Sequence, residues 1–158
     1  MNKVADHLVE LLKARGLTCA TAESCTGGGV GSAITAVPGS SAVFAGGVIS
    51  YANEVKRDVL GVSDHNLQTV GAVSPEVAAQ MADGARKLLK TDLAVSLTGI
   101  AGPDGGSAEK PVGLVWFGLA TKDGVRTEKA IFRGDRAQVR AQAVTHALGM
   151  LTAASVSG

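Results

Sequence analysis

The sequence predicts an α/β fold: a three-layer α/β/α sandwich on a mixed, mostly parallel sheet with one late antiparallel hairpin. Three observations predict it. Short apolar runs alternate with amphipathic helical stretches, a pattern that places helices on both faces of a largely parallel sheet. Loop segments follow the predicted strands, as they do at the functional edge of open α/β sheets. Late in the chain, Lys122-Asp123-Gly124 separates two apolar runs, which is a hairpin signal. A length of 158 residues fits a single domain spanning residues 1–158, enough for one real core.

The elements follow in order. Residues 3–15 carry Val4, Leu8, Leu11 and Leu12 at helical spacing, and Gly16 stops that helix. Residues 17–22 read as a short buried strand running into Glu23-Ser24-Cys25-Thr26-Gly27-Gly28-Gly29. Val30 and Ile34 mark a second helix that starts within the glycines and ends before Pro38. Residues 42–51 read as a strand, 53–60 as a short helix and 64–69 as another. Ser74-Pro75-Glu76 opens a helix with a serine cap, proline at its first position and an acid in its first turn. Its expected buried stripe is Val77, Met81, Ala85, Leu88 and Leu89. A strong strand covers 92–98, and the segment 99–111, rich in Gly, Pro and Asp, is a loop. Residues 112–121 and 125–132 form the hairpin. Asp135 caps a final helix bearing Val139, Ala143, Ala147, Leu148 and Leu151, and the small polar residues after it are expected to fray.

Composition narrows the function. Aromatics make up only 3% of the chain, so the core must be built from Val, Leu, Ile and Ala. A net charge of +1 lacks the basic excess of a nucleic-acid binder. No apolar run reaches membrane-spanning length, and the N-terminus has no signal-peptide pattern. The expectation is a cytoplasmic protein with no nucleic-acid or membrane partner. Cys19 and Cys25 are expected to be free thiols in a reducing compartment. Metal binding is not expected: the cysteines lack zinc spacing and no His-x-x-x-His pair occurs. A homo-oligomer is a base-rate expectation only, two-fold dimers being commonest.

Four segments could carry chemistry. Ser24, between a strand and a helix start, could be presented at the sheet edge with the following N–H groups ready to stabilise an oxyanion or hold a phosphate. The competing reading is that Ser24 or Thr26 only caps a helix. Asn53 and Lys56 are three apart and share a helix face. Lysine could act as base to a serine only if neutral, so its ordinary pKa of about 10.4 has to come down to near 7, at a cost of about 4 kcal/mol. The alternative is an ordinary solvated lysine. The loop Thr98-Gly99-Ile100-Ala101-Gly102 is glycine-rich enough to let its backbone approach a ligand, or is a plain surface connection. Arg136 and Arg140, four apart on the last helix, suit a phosphate monoester, or belong to a solvated charged face. Cys25 has no evident partner and reads as a small buried residue.

The runs Thr21-Ala22-Glu23-Ser24-Cys25-Thr26-Gly27-Gly28, Gly71-Ala72-Val73-Ser74, Gly99 through Gly113 and Gly134-Asp135-Arg136 occur in this order. Together they resemble the carboxy-terminal domain of the competence/damage-inducible protein CinA, over roughly residues 3–152. Stand-alone members of that family are nicotinamide-nucleotide amidases. The resemblance implies hydrolysis of nicotinamide mononucleotide to nicotinate mononucleotide and ammonia, by a serine–lysine mechanism needing no metal or cofactor. Ser24 matches the family serine, and Tyr51 and Lys56 match its Tyr-x-Asn-x-x-Lys pattern, with Ala52 where Ser or Thr is usual. Substrate contacts are expected from Glu23, Thr26, Gly27, Gly28, Asn53, Thr98, Gly99, Ala101, Gly102, Arg136 and Arg140. The oxyanion donors are expected near Thr26–Gly28 or in the Gly99–Gly102 loop. The rival is a non-catalytic nucleotide-binding or interaction module linked to competence and DNA damage.

Overall fold

The computed structural model describes residues 2–157. Among them the chain forms helices α1 (Lys3–Arg15), α2 (Gly29–Thr35), α3 (Asn53–Leu60), α4 (Asp64–Thr69), α5 (Pro75–Leu89) and α6 (Arg136–Ser157). The strands are β1 (Cys19–Glu23), β2 (Phe44–Ile49), β3 (Leu93–Gly99), β4 (Leu114–Thr121) and β5 (Gly124–Ile131). The sheet order is β2-β1-β3-β4-β5. β1 is parallel to both β2 and β3, whereas β4 pairs antiparallel with β3 and with β5. Only β4 therefore runs against the others.

Local chemistry sets these boundaries. Asn2 caps α1 by accepting from Val4 N and Ala5 N, and Gly16 ends it in the left-handed region at φ 65°. Ser74 accepts from Val77 N and Pro75 follows it, so α5 starts where the cap and proline predict. Asp135 accepts from Gln138 N at 2.9 Å, the cap expected for α6.

The helices divide between the two faces. Leu8, Leu12, Val30, Ile34, Val139, Leu148 and Leu151 pack α1, α2 and α6 on one face against Val95, Leu97 and Phe117. Val77, Met81 and Ala85 pack α5 on the other face against Ala20, Ala22 and Ala94, with Leu60 and Val62 beside them. Each fully buried Leu, Ile or Val stabilises by about 1.5–3 kcal/mol, so these two layers hold the sheet. Small sheet residues let α5 approach closely: a Cβ on Gly118 would collide with the Ala78 carbonyl.

Several sequence expectations need correction. The strand expected over residues 42–51 is shorter, because a 3-10 turn at Ser40–Ala42 uses its first residues and leaves β2 as Phe44–Ile49. The first strand is shifted to include Glu23. Leu88 is 50% exposed, because the buried stripe of α5 ends at Ala85. The expected frayed tail is helical through Ser157, and buried Ser155 bonds back to the Leu151 carbonyl at 2.7 Å.

The arrangement positions a site. From β1 the chain crosses to β2 on one side and then returns to β3 on the other. The strand order reverses at the carboxyl ends of β1 and β3, a topological switch point where open α/β sheets bind ligands. Ser24 follows β1 there, and its N–H donates to the Leu97 carbonyl of β3 at 3.1 Å.

Candidate active site

The turn after β1 is fixed on every side. The Glu23 carbonyl accepts from Ser50 N at 2.7 Å and from Ser50 Oγ at 3.2 Å. The Glu23 carboxylate accepts from Thr26 Oγ1 at 2.6 Å, Val30 N at 2.9 Å and Gly31 N at 3.0 Å. From α6, Arg140 donates to the Cys25 carbonyl at 3.0 Å and the Thr26 carbonyl at 3.2 Å. Gly28 turns the chain into α2 at φ 102°, a conformation costly for any other residue. Gly29 is needed for packing, since a Cβ there would lie 2.9 Å from Val144 Cγ2 of α6. Among the described residues, the Cys25 and Thr26 N–H groups make no hydrogen bond to another residue, and neither does Ser24 Oγ.

Facing this turn is a cavity of about 210 Å³ lined by Ser24, Cys25, Tyr51, Asn53, Lys56, Ala72, Val73, Thr98, Gly99, Ala101 and Arg136. It unites Ser24, Tyr51 and Lys56 with five of the eleven residues expected to contact substrate: Asn53, Thr98, Gly99, Ala101 and Arg136. Glu23, Thr26, Gly27, Gly28, Gly102 and Arg140 do not line it. They build its walls instead: Glu23 and Thr26 bond to one another, Gly27 and Gly28 shape the turn, and Gly102 offers its carbonyl to Arg136 Nη1 at 2.8 Å. Arg136 and Arg140 thus do not converge on one outside group, because Arg140 is engaged with the turn carbonyls.

Lys56 is the largest fully buried side chain among the described residues, at 1% exposure. Its backbone belongs to α3, whose first turn places residue 56 inward against the end of β1. Among the described residues no carboxylate lies within salt-bridge distance, and Nζ donates to the Tyr51 carbonyl at 3.0 Å. Burial therefore holds the amine below its ordinary pKa of 10.5, partly opposed by the thiol of Cys25 and the carboxylate of Glu54. Lys56 and Ser24 share the cavity without a direct hydrogen bond between them. Tyr51 orients the lysine through its main chain, while the residue itself is 64% exposed at the rim.

Thr98 braces the cavity lining, and Lys110 holds the segment just before Ala72. Thr98 Oγ1 donates to the Ala72 carbonyl at 2.9 Å, and Lys110 Nζ to the Val70 carbonyl at 2.5 Å. Ala72 and Val73 were not among the expected site residues. Their only sequence signal is the Gly71–Ser74 motif, which has no side chain in the cavity that spells out chemistry. Cys25 also lines the cavity, but burial pushes its thiol up to about 11, so the thiolate needed for nucleophilic attack is scarce near neutral pH. Both cysteines are free and buried.

Among the described residues no group of three His, Cys, Asp or Glu side chains is placed to hold a metal ion, and no helix is long and apolar enough to cross a membrane. A larger cavity, about 860 Å³, lies at the other end of the sheet, between the hairpin turn and the ends of α1 and α6, and contains none of the expected site residues. Its size does not make it the site, because Ser24 and the buried amine lie elsewhere.

Residues 1–155 match the family model of the CinA C-terminal domain. A putative competence-damage inducible protein of Halothermothrix orenii is 58% identical over 132 residues, which are 83% of this chain and 32% of that relative. The chain thus spans about a third of that longer protein. The nicotinamide-nucleotide amidohydrolase PncC of Escherichia coli K12 is 51% identical over 150 residues, covering 94% of this chain and 91% of that protein. The crystal structure of the competence/damage inducible protein CihA from Agrobacterium tumefaciens superposes with a TM-score of 0.93 at 44% identity, covering 96% of this chain and 93% of that one.

Proposed function

The chain belongs to the CinA C-terminal domain family, and on that premise we propose that it hydrolyses the carboxamide of nicotinamide mononucleotide, giving nicotinate mononucleotide and ammonia. The observation that carries this reading is a buried lysine without a carboxylate partner, sharing one small cavity with a serine whose hydroxyl is unengaged. A lysine held below its ordinary pKa gives up its proton more readily than a solvated one, and an uncharged amine is the base that a serine nucleophile requires.

The reaction runs in two halves. Ser24 Oγ attacks the carboxamide carbon while Lys56 Nζ takes the hydroxyl proton. The oxyanion is received by the Cys25 N–H group on the cavity lining, with the Thr26 N–H next along the turn; neither makes a hydrogen bond to another residue. Lys56 returns the proton to the leaving nitrogen, ammonia departs, and an ester remains on Ser24. Neutral Lys56 then takes a proton from water, the hydroxide adds to the ester carbon, and the Ser24 oxygen leaves with that proton as the carboxylate product forms. Atoms balance: one amide and one water give one carboxylic acid and one ammonia.

Ligand sites usually measure about 300–1,000 Å³, so a cavity of about 210 Å³ takes the pyridine carboxamide and leaves the ribose phosphate outside. Arg136, at the rim with one nitrogen bonded to Gly102, is the cation left to meet the phosphate. Asn53 and exposed Tyr51 flank the same opening. The same reading puts the protein in the cytoplasm, where this substrate circulates.

The test is ammonia release from nicotinamide mononucleotide by purified protein without added metal. Release that disappears in Ser24→Ala and in Lys56→Ala, both folded, is the expected result. Folded wild-type protein that releases none overturns the reading in favour of a binding module.

A further inference from the structure

We infer that Glu23 is a positioning residue for the nucleophile turn: its carboxylate closes the Ser24–Thr26 segment onto α2 and so sets the two amides on which the oxyanion would rest. The inference rests on the amidase reading of the site. Glu23 is 2% exposed and has no cation partner among the described residues, yet it is fully engaged. All three of its hydrogen bonds come from the eight residues that follow it: Thr26 Oγ1, Val30 N and Gly31 N. Charge-assisted hydrogen bonds of this kind are about twice as strong as neutral ones.

The bonds have a geometric consequence. Ser24 and Cys25 lie between Glu23 and Thr26, whose side chains are joined at 2.6 Å, so the two intervening residues sit in a ring closed by that bond. One end of the ring is tied to the strand extension through Ser50, and its outer carbonyls are taken by Arg140. Every carbonyl from Glu23 to Thr26 therefore has a donor: Ser50 for Glu23, Gly27 N for Ser24, Arg140 for Cys25 and Thr26. What the ring leaves without a partner on another residue is the pair of amides at Cys25 and Thr26, the Cys25 N–H meeting only its own sulfur. The carboxylate also occupies the first free N–H groups of α2, so the phosphate of a substrate has no place there. That removes the most general anion-binding feature of this loop and leaves the phosphate to the rim.

Glutamine keeps the length and shape of the side chain but exchanges one acceptor oxygen for a donor that repels an N–H. The test compares wild type, Glu23→Gln and Thr26→Val with nicotinamide mononucleotide as substrate, measuring kcat and KM from ammonia release and folded fraction from circular dichroism. Misplacing reacting groups by about 1 Å costs about 100-fold. The expected result is a kcat lower by about 30- to 100-fold in Glu23→Gln, with KM within about 3-fold and the acidic limb of the pH profile unmoved, since Lys56 is untouched. Thr26→Val, which removes only the 2.6 Å bond, is expected to lower kcat by about 10-fold at unchanged KM. A residue that only caps α2 would lower thermal stability and leave kcat per folded molecule intact. That outcome, in Glu23→Gln or, if this variant does not fold, in Thr26→Val, overturns the inference. If wild-type protein releases no ammonia, it is the amidase reading that falls.

Discussion

Replacing Lys56 by methionine should move activity and stability in opposite directions. The wild-type side chain is 1% exposed, has no carboxylate partner among the described residues and makes one hydrogen bond, to the Tyr51 carbonyl. In the unfolded chain it titrates near 10.5, and in the folded chain burial holds it lower. The unfolded state thus binds more protons wherever the pH lies between the two values. Wild-type stability must rise with pH across that window, at up to about 1.4 kcal/mol per pH unit. The penalty is complete below the folded value and vanishes above the unfolded one. Methionine fills the same space without a proton to lose, at the expense of one donor to the Tyr51 carbonyl, about 1 kcal/mol. The expected result is a variant more stable than wild type near pH 7, its advantage shrinking as the pH approaches 10.5. Removing the base should meanwhile lower kcat/KM by about 1,000-fold or more. Urea unfolding across pH 6.5 to about 10, with ammonia release on the same preparations, reads both quantities. A stability difference that does not change with pH would refute a buried neutral amine. A variant that loses stability and activity together would reassign Lys56 to structure.

Further outcomes follow from the same geometry. Ser24→Ala should lower turnover by about 10,000-fold while shifting stability by less than about 0.5 kcal/mol, because Ser24 Oγ makes no hydrogen bond that the fold needs. Cys25→Ala should keep activity within about 3-fold, since a thiol pushed up to about 11 contributes little thiolate; loss of turnover with folding intact would make the sulfur part of the chemistry. Arg136→Gln should raise KM for nicotinamide mononucleotide by about 10-fold, the value of one charge-assisted hydrogen bond, while leaving nicotinamide riboside kinetics alone. Equal loss on both substrates would take the phosphate away from this residue.

What was legible in the sequence depended on whether the deciding forces are local. α3 begins at Asn53 and ends at Leu60 as expected, because Gly61 closes it in the left-handed region at φ 77°. α5 begins after Ser74 because a cap and a proline act within one turn. The Asp123-Gly124 hairpin follows from turn chemistry alone. The family motifs brought Ser24, Tyr51 and Lys56 to one cavity. What was not legible came from tertiary packing. Nothing in residues 53–56 says that Lys56 is covered, since its burial comes from the packing of the folded chain around α3. Arg140 read as half of a phosphate clamp because its spacing to Arg136 is helical, yet its actual partners are carbonyls 114 and 115 residues away. Glu23 read as a substrate contact because it belongs to the family motif around Ser24, whereas its carboxylate bonds to the N–H groups of Val30 and Gly31 in α2. The end of α6 read as frayed from its small polar residues, but burial of Ser155 extends the helix.

The most direct test of serine-mediated hydrolysis is to quench turning-over enzyme in acid and map the peptides by mass spectrometry. The prediction is an ester of the nucleotide, its carboxamide nitrogen lost, on Oγ of Ser24 and absent from Ser24→Ala. An adduct on Cys25 or Thr26, or undiminished ammonia release from Ser24→Ala, would contradict it.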